Sequence, residues 1–419
     1  MRELALLYLL QGTNHVLGLL NALFLARSLG VHGYGQLAFA LGLTNYLLLL
    51  VGYGFDLSAT RQAARASAKE TEDLMGKVLG ARLLLALLAF FLLLLLRFLP
   101  PLERAWPLLL PLFGLVVAQA LHLGWVLTAK GQVVLPLAIE LGQRVATLLG
   151  LVLLVRKPGD ETGYALIAAL TALLASGATG WAAVRWLGLR IPRPQLAGGK
   201  VALREGWWLF LSQGGGGLLA GGNAFLLGLF APSHAVAQYA VAEKLVLTAS
   251  AILQPLFRSF YPKAAREGGE GVHEGFLRMG GKALGLALFL GTLAAIALAL
   301  LGPRAIPLVF GPGYEEGAQI VRVLGLWTLL SALSLVWGYL VLLPLGHDRV
   351  QTYLLWGSGG LQVALVPLLA PRYGAWGMAL AFLLAGGALA LGQAAYLLRL
   401  GVSPGLDLFP PRKQGGGKR

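Results

Sequence analysis

Lys244, Arg144, Glu140 and Glu243 sit inside long apolar runs of the 419-residue chain, as do Asn14, His15, Asn21 and Asn223. A charge at the centre of a hydrocarbon layer costs about 2.5–3.5 kcal/mol on insertion scales, so each one requires a partner or a polar chamber. Lys244 and Arg144 are the most deeply placed cations in these runs. Glu140 and Arg144 stand four residues apart, so they either neutralise each other on one helix face or serve a cavity together. Glu243 and Lys244 are adjacent and point about 100° apart on a helix, so one of them faces a polar interior. Arg82 and Arg322 lie near run ends, where their stems are expected to snorkel to an interface.

The amides allow two readings. Asn21 and Asn223 either line a central cavity or bond helix to helix, and Asn14 and His15 carry the same choice. A lone His is thin evidence for proton coupling. Gln213 to Gly217 reads QGGGG. No Gly-Lys-Ser/Thr follows, so it is not a phosphate loop. Gly214, Gly215, Gly216 and Gly217 either permit close helix packing or form a hinge. The chain has no cysteine, no His/Asp/Glu set at metal-ligand spacing and no Gly-x-Ser-x-Gly elbow. Glu315 and Glu316 are adjacent, a poor arrangement for paired acid–base work. No metal, no cofactor and no catalytic residue is expected, and the chain is read as a non-enzyme.

These residues must be positioned by membrane-spanning helices. The chain is 57% hydrophobic and 12% charged, against about 25% charged in a typical soluble domain. Apolar segments of about 20 residues recur along its whole length, the clearest running from Val78 to Leu99. Twelve spans are predicted, at about 4–26, 36–55, 78–98, 107–128, 134–155, 163–184, 206–229, 235–255, 283–302, 319–344, 350–370 and 376–398. The first is interrupted by Gln11, Asn14 and His15 and lacks a cleavage site, so it reads as a span and not as a signal peptide.

The net charge of +15 does not mark a nucleic-acid binder, because the basic residues fall in short segments between spans and not on one soluble face. With the N-terminus inside, 22 of the 33 Lys and Arg lie in cytoplasmic segments, seven lie outside and four lie within spans. That bias predicts a cytoplasmic-membrane protein with both termini in the cytoplasm. No outer loop exceeds about 16 residues by this division.

The chain also repeats itself. An offset of 202 residues gives 14 identities over positions 2–40, among them Arg2-Glu3, Gln11-Gly12, Asn21-Ala22, His32 and Gln36. Chance in a Leu/Ala/Gly-rich chain gives about a tenth of positions. Each half holds six spans, an even number, so the halves share orientation, as in transporters that bind substrate between repeats. The expected fold is an all-α polytopic membrane protein with twelve transmembrane helices in two pseudo-symmetric six-helix bundles. Its divisions are residues 1–190, a cytoplasmic linker 191–203, a second bundle 204–400 and a basic tail 401–419.

Several segments in order carry a family resemblance: ARSLGVHGYGQLAFALGL (26–43), FDLSATRQAAR (55–65), QYAVAEKLV, QPLFRSFYPKAAR (254–266), FGPGYEEGAQIVRVLGL (310–326) and PRYGAWGMALAFLLA (371–385). Together they resemble the bacterial Wzx-type flippases for O-antigen and lipid-linked oligosaccharides, within the multidrug/oligosaccharidyl-lipid/polysaccharide exporter superfamily. The resemblance implies a V-shaped pair of bundles, a cavity largely from spans 1, 2, 7 and 8, and alternating access. It implies a polyprenyl-pyrophosphate-linked glycan as cargo, membrane lipids as surroundings, and room for contacts with other polysaccharide-assembly proteins. It places Lys244 at a position where such proteins often carry a cation, and Arg61 in the ATR element after span 2. The peptidoglycan-precursor flippases usually have fourteen spans and a more cationic first span, which argues against that branch.

A pyrophosphate cannot cross about 30 Å of hydrocarbon bare, and cavity cations with amide donors would replace its water. Two other readings stand beside this one. A multidrug exporter of the same superfamily would want an acidic cavity, yet Glu140 and Glu243 each have a cation close in sequence. A membrane glycan polymerase or ligase usually presents a large outer loop bearing its catalytic residues.

Overall fold

A computed structural model describes residues 2–269 and 271–405, with side chains left undescribed at 2–9, 11 and 15. Every regular element among the described residues is helical: α1 (Arg2–Gly52), α2 (Phe55–Ala63), α3 (Ala68–Leu96), α4 (Pro100–Leu121), α5 (Gly124–Ala129), α6 (Val134–Leu154), α7 (Glu161–Leu187) and α8 (Leu196–Ala220). Then follow α9 (Asn223–Gly228), α10 (Ser233–Ser250), α11 (Gln254–Gly268), α12 (Glu274–Phe310), α13 (Glu315–Leu324), α14 (Trp327–Ser334) and α15 (Asp348–Arg399). A 3₁₀ turn joins α10 to α11, and a π-helical run over Leu335–Leu342 continues α14.

Local chemistry explains where these helices begin and divide. Ser67 and Glu70 form a reciprocal capping box at the start of α3, with bonds of 3.3 and 2.7 Å. Pro100 opens α4, where a missing N–H costs nothing. Nine helical stretches among the described residues are long and apolar enough to cross a membrane. Two of them hold two spans each. One divides within α1 at Gly30 (φ 66°, ψ 178°) and the other within α15 at Gly374 (φ 53°, ψ −127°). The pair α8–α9 supplies the twelfth span, its charges and glycine run leaving it less apolar than the others.

Three large apolar clusters show how the halves meet. One unites both halves, with Leu37 and Leu109 packed in the same core as Tyr239, Phe310 and Phe382. The second lies mainly in the first half, around Val51, Met75 and Trp125, with Leu203 and Phe210 of α8 packed against it. The third belongs to the second half, around Phe276, Val336 and Leu397. The two bundles therefore share a core at one end and divide into two mainly separate cores at the other, where α8 still packs against the first half, which is a V. Their outer faces expose Phe91, Leu95, Leu300, Leu308 and Leu391, an apolar surface that belongs against lipid and not water.

Two expectations shift, and one stands. Arg82 does not snorkel: its side chain is fully buried and bonded to Asp56 and to the His122 carbonyl. Arg322 is exposed on α13, as an interface residue should be. The segment expected as linker is partly helical, because α8 begins at Leu196, with Gln195 N–H bonded to the Gly76 carbonyl at 2.9 Å. A methyl on Gly80 would lie 2.2 Å from the Gln195 carbonyl oxygen, so only glycine lets this strap lie on α3. Of the basic tail, residues 406–419 lie outside the described residues.

Candidate functional site

Helix α6 leans on its neighbours lightly, with only Thr147 and Leu151 buried. Its inner face borders a cavity of about 470 Å³ whose wall includes Asn14 and Gly18 of α1, Glu140 and Arg144 of α6, Lys244 of α10, and Arg258 of α11. Gly18 marks the meeting point. A methyl there would come within 3.2 Å of Arg144 Nη1 and 4.0 Å of Lys244 Nζ. One cation comes from each half of the chain, and both reach the same spot on α1.

The ion pair of Arg144 Nη2 with Glu140 Oε1, at 3.0 Å, does not close the site. Both side chains remain partly exposed, at 38% and 45%, so water and a guest can still compete for them. The Arg144 Nε has no partner, nor does the buried Oδ1 of Asn14 or of Asn21. Unpaired buried polar atoms are uncommon in a finished core, and two of these three, on Arg144 and Asn14, belong to residues of the cavity wall.

Glu243, one residue before Lys244, belongs to a different environment. It accepts from Asn223 Nδ2 at 2.6 Å and from Tyr239 Oη at 3.1 Å. Gln362 Nε2 donates to Asn223 Oδ1 at 2.6 Å. Asn223 and Glu243 are thus tied into a polar cluster of α9, α10 and α15, away from Lys244. Arg61 is exposed in the last turn of α2 and lines none of the described cavities. The side chain of His15 lies outside the described residues.

The helix runs unbroken through Gly214–Gly217. Gly214 and Gly215 lie against Trp356 and Leu355, and Gly217 accommodates Leu49. The interruption comes a turn later, at Gly221 and Gly222, where a methyl on Gly222 would sit 2.2 Å from the Tyr46 ring. The bend in this span therefore lies beyond the run expected to form it.

Sequence reasoning missed a second polar group. Asp56 Oδ1 accepts from Arg82 Nη2 at 2.7 Å, Asp56 Oδ2 accepts from Gln119 Nε2 at 3.4 Å, and Arg82 Nη1 donates to the His122 carbonyl at 2.8 Å. No periodicity links positions 56, 82, 119 and 122, which come from three helices. The only signal available was Arg82 itself, a charge in an apolar run.

The far end of the molecule is closed. Tyr314 Oη donates to the Ala26 carbonyl at 3.0 Å, the Arg27 guanidinium donates to the Leu308 carbonyl, and Ser233 Oγ bonds His32 Nδ1 at 2.8 Å. Residues 26–32 are about 18–27 Å along α1 from Asn14. The cavity therefore lies toward the parted end of the V, with the shared core behind it.

The chain is similar to known proteins in sequence and in fold. The model of a family described as "Polysaccharide biosynthesis protein" matches residues 1–266. The chain belongs to the polysaccharide biosynthesis protein family. Within the curated proteins, this family member is similar to two assigned as O-antigen transporters. One, from Shigella dysenteriae, is 26% identical over 91% of this chain and 96% of its own length. The other, from Escherichia coli K12, is 22% identical over 87% and 88%. Among solved structures, the lipid II flippase MurJ in an inward closed conformation superposes with a TM-score of 0.75 at 14% identity, over 95% of this chain and 87% of that one. An inward-facing multidrug transporter of the MATE family gives 0.67 at 15% identity, over 93% and 95%. These likenesses establish that the family member has the V-shaped twelve-span exporter fold.

Proposed function

We propose that this protein is a flippase that carries a polyprenyl-pyrophosphate-linked oligosaccharide from the cytoplasmic to the outer leaflet by alternating access. The observation that carries this reading is the convergence of Arg144 and Lys244 on Gly18, within a cavity between the two halves. Two cations from different bundles can each bind the same pyrophosphate, in charge-assisted bonds roughly twice as strong as neutral ones. A guest held that way couples the bundles, so its arrival or departure can bias how they rock. The O-antigen transporter relatives support the cargo class.

The lysine and arginine bias between spans supports cytoplasmic termini. In that orientation the parted end faces the cytoplasm, where the lipid-linked sugar is assembled. The lipid tail stays in the bilayer while the head group passes between the halves, and no covalent bond is made or broken. The cation pair also weighs against an organic-cation exporter, which would need an acidic chamber at this position.

Reconstitution tests the reading. Purified protein in liposomes should speed translocation of a polyprenyl-pyrophosphate oligosaccharide, read as its accessibility to an external sugar-modifying enzyme. Lys244→Ala should slow that rate about tenfold or more, the loss of one charge-assisted contact. Equal rates with and without the protein would refute it.

A further inference from the structure

The cationic cavity adjoins a larger one walled by helices of the first half alone. A second cavity, of about 630 Å³, shares Leu137, Glu140 and Arg144 with the first. A third, of about 360 Å³, shares Leu48, Asp56 and Gln119 with the second. The three adjoin in a row, and the middle one is within the usual size range for a ligand pocket. Chemistry changes along the row. At one end stand Lys244, Arg144 and Arg258. In the middle and at the far end the wall is largely aliphatic, and its uncharged polar and aromatic members are amides, a hydroxyl and an indole: Gln119, Gln143, Thr60, Trp125, and Gln213 beyond them.

Charges in this second region are matched internally. Asp56 is bonded to Arg82 and Glu140 to Arg144, so the wall offers hydrogen bonds without a net charge. Glutamine presents both a donor pair and an acceptor, which suits vicinal hydroxyls that are themselves donor and acceptor. Trp125 is 3% exposed, yet its indole N–H has no hydrogen-bond partner. A buried indole N–H ordinarily finds one.

We propose that this region is the sugar subsite: a neutral, polyhydroxylated glycan lies along α2, α4, α5 and α6 while its pyrophosphate is held at Gly18 by Arg144 and Lys244. Arg144 and Glu140 border both regions, so α6 forms the boundary between the anion site and the sugar site. This rests on the transport reading above and adds where the glycan sits and which residues select it. Sites built to hydrogen-bond a ligand discriminate against analogues lacking those groups, because their own polar atoms are then left unpaired.

Two lipids separate the parts. Binding of a polyprenyl-pyrophosphate oligosaccharide with neutral sugars, and of sugar-free polyprenyl pyrophosphate, is measured on the full-length protein in nanodiscs. Gln143→Ala and Gln119→Ala should each weaken the glycosylated lipid about three- to tenfold and leave the sugar-free lipid within twofold. Trp125→Phe, which keeps the ring and removes the N–H, should act in the same direction. Lys244→Ala should weaken both lipids together. Unchanged binding of the glycosylated lipid in both glutamine variants, or equal weakening of both lipids, overturns the subsite and leaves the cationic site standing. Failure of the unmodified protein to bind either lipid overturns the transport reading, and the subsite with it.

Discussion

At the scale of single residues, position decides what a charge does. Lys244 and Glu243 are neighbours in sequence, yet one borders an open cavity and the other is enclosed by Asn223, Tyr239 and, through Asn223, Gln362. Gly18 matters because it has no side chain, which keeps the space between Arg144 and Lys244 clear. Gly18→Leu should fill that space and weaken binding of the lipid pyrophosphate at least about tenfold, with thermal unfolding in detergent little changed. The Asp56–Arg82 pair should show an asymmetry. Arg82 is fully buried while Asp56 is 54% exposed. Asp56→Ala strands a buried guanidinium and should cost about 2–3 kcal/mol, below the loss expected of a wholly buried pair because water reaches the carboxylate. Arg82→Met leaves only a wetted carboxylate and should cost less, as thermal unfolding of the two variants would measure.

At the scale of elements, glycine places the breaks. Gly30 combines φ 66° with ψ 178°, a region that only glycine occupies readily, so any side chain there carries strain of about 1–3 kcal/mol. Gly30→Ala should lower the unfolding temperature even though a methyl there meets no atom within 4 Å. Gly142 is the control. It sits exposed on α6, and an added methyl again meets nothing within 4 Å. Gly142→Ala should leave stability unchanged or raise it by about 0.5–1 kcal/mol, the ordinary helical preference. Opposite signs from two sterically open glycines would isolate backbone conformation as the cause.

At the scale of the whole molecule, a V with one shared core and two mainly separate ones must open at the shared end for cargo to leave on the other side. That end is held by His32 with Ser233, Arg27 with Leu308, and Tyr314 with Ala26. The chain has no cysteine, so an introduced pair is free of background. His32→Cys with Ser233→Cys, joined by a short bifunctional thiol reagent, should arrest translocation in liposomes, and either single variant treated alike should not. Continued translocation after complete cross-linking would mean the halves do not part there.

Much of the architecture follows from the order of residues alone. Apolar runs of bilayer length require helices, because unpaired backbone groups are too costly in lipid. The 202-residue repeat required two like-oriented halves, and Lys244 and Arg144 were legible as deep cations because charge in such a run is rare. What the order of residues left open is which way each polar side chain turns. Periodicity could not tell that Lys244 would border the cavity while Glu243 was enclosed, nor that Arg82 would bury against Asp56, 26 positions away. Nor could it place the interruption of α8 at Gly221 and Gly222. Local spacing fixes which residues form a helix and which of them share a face. Only packing among helices distant in sequence decides what that face meets, and the meeting at Gly18 exists nowhere but in three dimensions.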